Sequence, residues 1–156
     1  MRHLLTVIAL LPVLLQAAPP TFESYSVDVH PIKKSARTKI PKSGTDGKVD
    51  RFLRYSDDEP VTFAAKYTFG EIGCGAGCFE FCLIDRTTGK VYPGADFSSE
   101  YPRDYEGPTG FQYCRNSRLL IVYHALGAQY PVRVSYYVWD GTKLKLLETH
   151  DIPKKT

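Results

Sequence analysis

Short runs of β-branched and aromatic residues recur along this chain from about residue 49 onward, separated by glycine, proline, aspartate or asparagine. Such runs predict β-strands, because branched and aromatic side chains pack well on a pleated, half-buried surface. The predicted strands cover residues 61–69, 79–84, 90–92, 119–123, 133–139 and 143–148. No helical periodicity lasts long enough to indicate a helix. We therefore predict an all-β fold, an antiparallel meander arranged as a sandwich, a barrel or a propeller-like sheet.

Two connections between predicted strands carry hairpin signals. Asp140-Gly141 lies between two such runs and is typical of a type I′ turn, in which both turn residues have a positive φ. Residues 85–89 form a longer turn between the strand that ends near Ile84 and the one that begins at Lys90. Strands that follow each other in the chain are therefore expected to pair.

The first residues have the layout of a secretory signal peptide. Arg2 and His3 precede an uninterrupted apolar run over residues 4–15. Ala17 then offers a small residue for cleavage. The run is shorter than the roughly 20 residues that a membrane-spanning helix needs. We therefore expect residues 1–17 to be removed and the mature protein to be periplasmic or secreted, without membrane insertion.

The rest of the chain divides by composition into a lead-in, one domain and a short tail. Residues 18–48 combine basic residues with turn residues, which predicts a basic, partly flexible lead-in with one short strand at residues 25–29. Residues 49–151 are expected to form a single β domain, and residues 152–156 a tail. Loss of Arg2 with the signal peptide lowers the formal net charge from +3 to +2. So small a charge argues against nucleic acid as a partner.

Four cysteines follow the signal segment, Cys74, Cys78, Cys82 and Cys114, and an even number in an oxidising compartment favours two disulfides. Cys78 and Cys82 lie in one predicted strand, which places them about 13 Å apart at ~3.3 Å per residue. A disulfide needs Cα atoms about 4.4–6.8 Å apart. This pairing is therefore excluded.

Glycines at positions 73, 75 and 77 favour a bond between Cys74 and Cys78, because they permit a turn with positive φ that folds the chain back. We therefore predict Cys74–Cys78 and Cys82–Cys114 disulfides, the second of which would clamp a long connection to a central strand. A zinc site or a redox pair is the alternative. The Cys-x3-Cys-x3-Cys spacing is a poor match to both, since zinc sites need a second ligand pair and redox sites use Cys-x-x-Cys.

One connection, residues 94–117, is much longer than the others. Connections above about 12–15 residues without secondary structure are uncommon in compact domains and are often functional. Tyrosine and arginine dominate binding hot spots, because they bring a large contact area at modest entropic cost. The candidate partner-binding residues here are Phe97, Tyr101, Arg103, Tyr105 and Phe111. The same residues also suit an ordinary aromatic loop packed against the sheet.

The sequence contains no recognisable catalytic constellation. The histidines after the signal segment are His30, His124 and His150, and no serine lies in a G-x-S-x-G context. His124 ends an apolar run and is expected to end a core strand rather than act as a base. We therefore predict no catalytic residue, no metal site and no cofactor.

Five segments form an ordered set of motifs, residues 63–67, 73–78, 84–92, 116–120 and 136–141. The set resembles a group of small exported bacterial proteins with a Gly-Cys-Gly-x-x-Cys motif ahead of an Ile-Asp-x-x-Thr-Gly-Lys-Val hairpin. The resemblance implies a bacterial envelope origin and a β fold over roughly residues 60–148, and it implies no activity. Cys82 and Cys114 depart from that pattern, which supports a bond between them.

These features favour an exported bacterial envelope binding protein with a protein partner. As the specific case, we expect an inhibitor or immunity protein for a cell-wall-degrading enzyme or toxin. The alternative is a small periplasmic enzyme or metal-binding protein that uses the cysteine motif. A structural envelope component without a specific ligand is the third possibility. The oligomeric state stays open at this level.

Overall fold

The computed structural model describes residues 18–41, 47–127 and 130–154, so the predicted signal peptide lies outside the described residues. Its helix is α1 (Gly47–Tyr55). The strands are β1 (Tyr67–Gly75), β2 (Cys78–Asp85), β3 (Val91–Ser98), β4 (Gly110–Gln112), β5 (Leu119–Ala125), β6 (Val132–Trp139) and β7 (Leu144–Ile152). Single 3-10 turns cover Glu23–Tyr25 and Ser56–Asp58. No helix in these ranges is long and apolar enough to cross a membrane.

The strands form two antiparallel sheets in which neighbours in the chain are neighbours in space. One sheet has the order β1-β2-β3, and the other has the order β4-β5-β6-β7. One face of each sheet contributes to a shared aromatic core, so the sheets pack face to face. The predicted all-β antiparallel meander is confirmed, in its sandwich form.

Alternate residues of the facing strands build the core between the sheets. Phe69 and Phe81 point inward from the first sheet, and their rings stack with centroids 5.1 Å apart. Leu120, Val122 and Trp139 point inward from the second sheet. Because successive strand residues point to opposite faces, the residues between them pack on the outer faces.

Helix α1 covers the outer face of the first sheet and corrects the prediction of a chain without a helix. Its Val49 and Leu53 pack against Cys82 and Ile84, which point away from the inter-sheet core. The helix has nine residues. That length is below the window of about 11–18 residues in which helical periodicity is recognisable. Tertiary packing, rather than local propensity, therefore stabilises it.

The lead-in covers part of the outer face of the second sheet. Phe22 and Tyr25 pack against a buried cluster there. The strand predicted at residues 25–29 is wrong, and in its place Ser26 and Ser117 form an isolated bridge. The pairing stops after one bridge, so no ladder forms along this segment.

The first strand begins at Tyr67 rather than near residue 61. The chain turns back at Ala64 and Ala65, whose φ values of 44° and 66° are incompatible with a strand. The strand then continues through glycines, which normally weaken strands. Gly70 is needed because Phe52 of α1 lies over it, and a Cβ at this position would come within 2.3 Å of the Phe52 ring.

Both predicted hairpins are present, between β2 and β3 and between β6 and β7. The type I′ geometry predicted for the second turn is wrong, because Gly141 has a positive φ of 100° and Asp140 does not. The turn is wider and spans residues 140–143. The Asp140 carboxylate accepts hydrogen bonds from the backbone N–H groups of Thr142 and Lys143, each at 2.9 Å, and these bonds stabilise the wider turn.

The predicted Cys74–Cys78 disulfide is present, with Cα atoms 5.3 Å apart. The register of β1 and β2 shifts at this point, so Cys74 lies in a bulge at the end of the hairpin. Gly75 and Gly77 both have a positive φ, 146° and 72°. The glycines therefore provide the turn that the bond requires.

The predicted Cys82–Cys114 disulfide is wrong, since both residues are free thiols. Cys82 is fully buried beneath α1, on the outer face of the first sheet. Cys114 follows Tyr113, whose ring stacks on Phe69 at the inter-sheet face with centroids 4.2 Å apart. The first sheet therefore separates the two thiols.

A buried guanidinium anchors the turn between β2 and β3. Arg86 is fully buried, its Nε donates to Thr68 Oγ1 at 2.6 Å, and its Nη2 donates to the Ser56 carbonyl. The neighbouring Asp85 forms an ion pair with Lys66 at 2.9 Å. These bonds tie the turn to β1 and to the end of the helical segment, so the charges of this motif are structural.

Candidate functional site

The long connection of residues 94–117 is largely structured. β3 extends to Ser98, and β4 adds an edge strand to the second sheet. Phe97 and Phe111 therefore lie in strands, half-buried, with ring centroids 5.8 Å apart at the margin of the inter-sheet core. Both rings stabilise the sandwich by packing.

The other predicted partner-binding residues lie between these two strands. Tyr101 and Tyr105 stack with ring centroids 5.6 Å apart. The Tyr101 hydroxyl donates to the Tyr123 carbonyl and accepts from the Gly110 N–H, which fastens the connection to β5. Tyr105 lines a pocket of about 370 Å³, and Arg103 is exposed. Of the five predicted residues, four thus make contacts within the chain, and Arg103 is exposed.

A larger cleft of about 470 Å³ opens between β3 and the β6–β7 hairpin. It is termed here the β3–β7 cleft. Its lining residues are Phe81, Leu83, Tyr92, Pro93, Gly94, Ala95, Phe97, Tyr137, Trp139, Thr142, Lys143 and Leu144. β3 and β7 are edge strands of their respective sheets, so the cleft follows an open side of the sandwich.

Two small residues of β3 create the cleft. At one end the sheets touch through Tyr92 and Trp139, whose ring centroids are 5.1 Å apart. At the other end they touch through Phe97 and Tyr137, at 6.4 Å. Residues 94–95, a glycine and an alanine, lie between these contacts on β3 and have no side chain long enough to fill the gap. The cleft is therefore bounded by an aromatic pair at each end.

Position 94 requires glycine, because the β3 backbone there lies very close to Phe81 of the core. A Cβ at this position would lie 2.4 Å from the Phe81 carbonyl oxygen and 2.6 Å from the Phe81 ring. The register of β2 and β3 shifts at the same point, which marks a bulge. Glycine thus allows the β3 backbone to lie against Phe81 and keeps the cleft open.

Trp139 is the single tryptophan of the chain and is 3% exposed. Its indole Nε1 is buried and has no hydrogen-bond partner within the described residues. A buried indole N–H usually has an acceptor, because leaving it unpaired costs free energy. Trp139 therefore forms a wall of the cleft while its indole N–H is buried behind the accessible surface.

The charged residue that lines the cleft is a lysine. Lys143 lies on its rim, and the Lys90 ammonium stands 4.5 Å from the centroid of the Tyr92 ring. The nearby Asp140 is engaged within the turn, since its carboxylate pairs with Lys145 at 3.2 Å. The backbone N–H of Lys143 and further hydrogen bonds in this turn hold the pKa of Asp140 well below its usual value. None of the described residues that line the cleft carries a carboxylate.

His124 lies near the Phe97 end of the cleft, with ring centroids 5.3 Å apart. Its Nε2 is 3.3 Å from Ser135 Oγ. Burial lowers the pKa of His124, which favours the neutral ring. Ser135 is 3% exposed, so a substrate cannot reach its hydroxyl in this arrangement. The pair acts as a packed hydrogen-bonding contact between β5 and β6.

The cysteine motif offers no thiolate for a metal ion. Cys74 and Cys78 are bonded to each other, and burial raises the pKa of the Cys82 thiol to about 12. In the parts of the chain that the structure describes, no group of three or more His, Cys, Asp or Glu side chains is placed to hold a metal ion.

No family model, no curated protein and no solved structure matches this chain. The cleft must therefore be interpreted from its own geometry. Sequence reasoning missed Tyr92, Tyr137 and Trp139, because they have the pattern of ordinary strand residues. The available signal was an aromatic strand, residues 136–139, directly before the exposed turn at Asp140. These residues end β6 beside the exposed turn to β7, where a ligand can approach.

Proposed function

We propose that the protein is an exported binding protein that takes an extended, apolar segment of a partner protein into the β3–β7 cleft. The cleft itself carries this proposal, because it is an aromatic cavity between two edge strands and the single tryptophan forms one of its walls. Its volume of about 470 Å³ falls within the range of roughly 300–1,000 Å³ typical of ligand sites.

The edge strands favour a polypeptide ligand. β3 and β7 each pair with a single neighbour in the described ranges, so their outer main-chain groups face no further strand. An extended peptide can pair with such an edge through main-chain hydrogen bonds, and its side chains then occupy the adjacent pockets. The aromatic walls would supply the apolar contacts.

The specific role we propose is inhibition of, or immunity to, a cell-wall-degrading enzyme or toxin in the periplasm or outside the cell. The export signal predicted from the N-terminal sequence and the Cys74–Cys78 disulfide support this compartment. The exposed Arg103 and the half-buried Tyr105, which lines the pocket of about 370 Å³, would provide a second contact apart from the cleft. A metal-binding function of the cysteine motif has less support, because two of its thiols are bonded to each other.

Peptide selection on the protein from residue 18 onward tests this proposal. Random peptides are selected on the wild type, and each binder is titrated against the emission of Trp139, which reports on the cleft because no other tryptophan is present. Ala95→Phe fills the cleft from an exposed position on its wall. Ala76→Phe, the matched control, places the same ring in the exposed β1–β2 turn.

We expect selected peptides to be rich in apolar and aromatic residues and to change the Trp139 emission. They should bind Ala76→Phe like the wild type and bind Ala95→Phe at least about ten-fold more weakly, a difference of ~1.4 kcal/mol. Selection of no binder, or only of binders that are insensitive to Ala95→Phe, would overturn the proposal.

A further inference from the structure

We infer that the β3–β7 cleft recognises the C-terminal residue of its partner, a free carboxylate on an apolar or aromatic last residue. This inference rests on the proposed binding function and adds the chemistry of the ligand. It is carried by the closed ends of the cleft, by the lysine in its lining and by its apolar floor.

The closed ends favour a chain end over a passing strand. The Tyr92–Trp139 and Phe97–Tyr137 contacts bound the cleft on both sides. The stretch of β3 between these contacts is only a few residues long, about 15 Å at ~3.3 Å per residue. A chain that continued in both directions would have to rise over both aromatic pairs. A terminal residue can end inside the cleft.

The charge favours an anion at the end nearest the β6–β7 turn. Lys143 is the single charged residue among the described residues that line the cleft. It has no carboxylate partner among the described residues, since the nearby Asp140 pairs with Lys145. On the facing wall, the Lys90 ammonium lies over the ring of Tyr92. Two ammonium groups therefore stand beside one aromatic end of the cleft, and a carboxylate complements them.

The floor favours an apolar last side chain. Phe81 and Leu83 form it, and Leu144 stands beside them on β7. A last residue such as phenylalanine, leucine or valine would place its side chain on this floor and its carboxylate beside Lys143.

Matched peptides test this inference. The probes are acetylated tetrapeptides, Ac-Ser-Gly-Val-X, that differ only in the last residue, each prepared with a free carboxylate and as the C-terminal amide. Their affinities are measured through the Trp139 emission for the wild type, for Lys143→Gln and for Lys145→Gln. The last variant is the control, because it removes the same charge from the same hairpin at a residue that does not line the cleft.

We expect probes with an apolar X to bind the wild type at least about five-fold more tightly as acids than as amides, the scale of an exposed ion pair. Lys143→Gln should reduce this difference, since Lys90 alone then remains beside the carboxylate, and Lys145→Gln should keep it. Equal affinity of acid and amide would overturn the inference and leave the proposed function intact. The inference also falls if no probe binds while random selection yields peptides that bind through internal residues. If neither experiment yields a cleft-dependent binder, the proposed function falls as well.

Discussion

The two sheets of the sandwich are joined differently along its two sides. On one side, the Ala64 and Ala65 N–H groups donate to the carbonyls of Ser117 and Arg115, at 3.1 Å and 2.7 Å. Phe63 is fully buried beside these bonds. This is termed the closed side. On the other side, the β3–β7 cleft separates the strands, and ring contacts at its two ends bring the sheets together.

Aromatic residues occupy both sides, yet they have different consequences. On the closed side, backbone groups of two segments satisfy each other, and the neighbouring rings become core. On the open side, Gly94 and Ala95 leave a gap, and the neighbouring rings become walls. Whether an aromatic residue packs in the core or lines a site therefore depends on whether the neighbouring backbone closes the gap between the sheets or leaves it open.

Phe63→Ala should have the largest effect on this comparison, because it removes the core of the closed side. We expect a loss of about 3–5 kcal/mol in the free energy of unfolding, typical of a fully buried ring. The substitution also removes the edge-to-face contacts of the Phe63 ring with the rings of Phe69 and Tyr113. Urea unfolding measures the change, with Phe63→Leu as the control at a cost below about 1.5 kcal/mol. A loss under about 1 kcal/mol for Phe63→Ala would contradict the role of the closed side.

Removal of the Cys74–Cys78 disulfide should have an intermediate effect. The double substitution Cys74→Ala with Cys78→Ala is expected to lower the free energy of unfolding by about 2 kcal/mol, the chain-entropy value for a short loop. The bond lies in the β1–β2 turn, so ligand binding at the cleft should persist. Complete unfolding of the double variant at room temperature would contradict this estimate.

Thiol titration is the control for the disulfide experiment, and it distinguishes one bond from two. In the wild type, Cys114 should react in the native state, because it is partly exposed. Cys82 should react only after unfolding, because it is fully buried and burial raises its pKa to about 12. If no thiol reacted after unfolding, the result would show that Cys82 and Cys114 are bonded to each other.

Tyr137→Ala should have a smaller effect on stability, because it acts on the open side. The ring is half-buried, so we expect a loss of about 1 kcal/mol in the free energy of unfolding, roughly half the value for full burial. The same substitution should weaken peptide binding, because Tyr137 is a wall of the cleft. A stability loss equal to that of Phe63→Ala would show that both sides are core, and the comparison would fail.

The smallest effect is expected from the pH dependence of His124, at the Phe97 end of the open side. Burial, with a smaller contribution from Arg133, lowers the pKa of His124 from the ordinary value of 6.5. As the pH falls below this value, the unfolded chain binds a proton before the folded chain does. The contribution of His124 to the free energy of unfolding should therefore be fully present above pH 6.5. It should decrease as the pH falls from 6.5 through the folded pKa of His124.

Urea unfolding at several pH values measures this contribution. His124→Gln should flatten the decrease below pH 6.5, and His30→Gln, in the exposed lead-in, should leave it unchanged. An identical pH profile for wild type and His124→Gln would show that the imidazole environment is the same in the folded and unfolded states.

Local chemistry made several features of this protein predictable. β2, β5 and β6 agree with their predicted bounds within two residues, because runs of β-branched and aromatic residues indicate strands directly. β7 was predicted as well, but it extends four residues beyond its predicted end. The Cys74–Cys78 bond followed from the glycines beside it. Each of these features depends on residues within a few positions of one another, and a linear pattern contains that information.

Features that depend on register were not predictable in this way. Cys82 faces α1 because alternation in β2 points it outward, and the partner predicted for it lies beyond the other face of the sheet. β1 continues through Gly70 because Phe52, from a separate element, lies on it. No residue close in sequence to Cys82 or Gly70 indicates that these neighbours are present.

The sequence by itself thus determined the fold class, the two hairpins and one disulfide, since these follow from local conformational preferences. Only the tertiary structure decided which aromatic residues form the core and which line the cleft. Phe111, predicted as a partner-binding residue of the long connection, packs against the core, and Trp139 of strand β6 forms a wall of the candidate site. The physical reason is that the surroundings of a strand residue depend on the sheet that packs against it, and that contact is made across long separations in the chain.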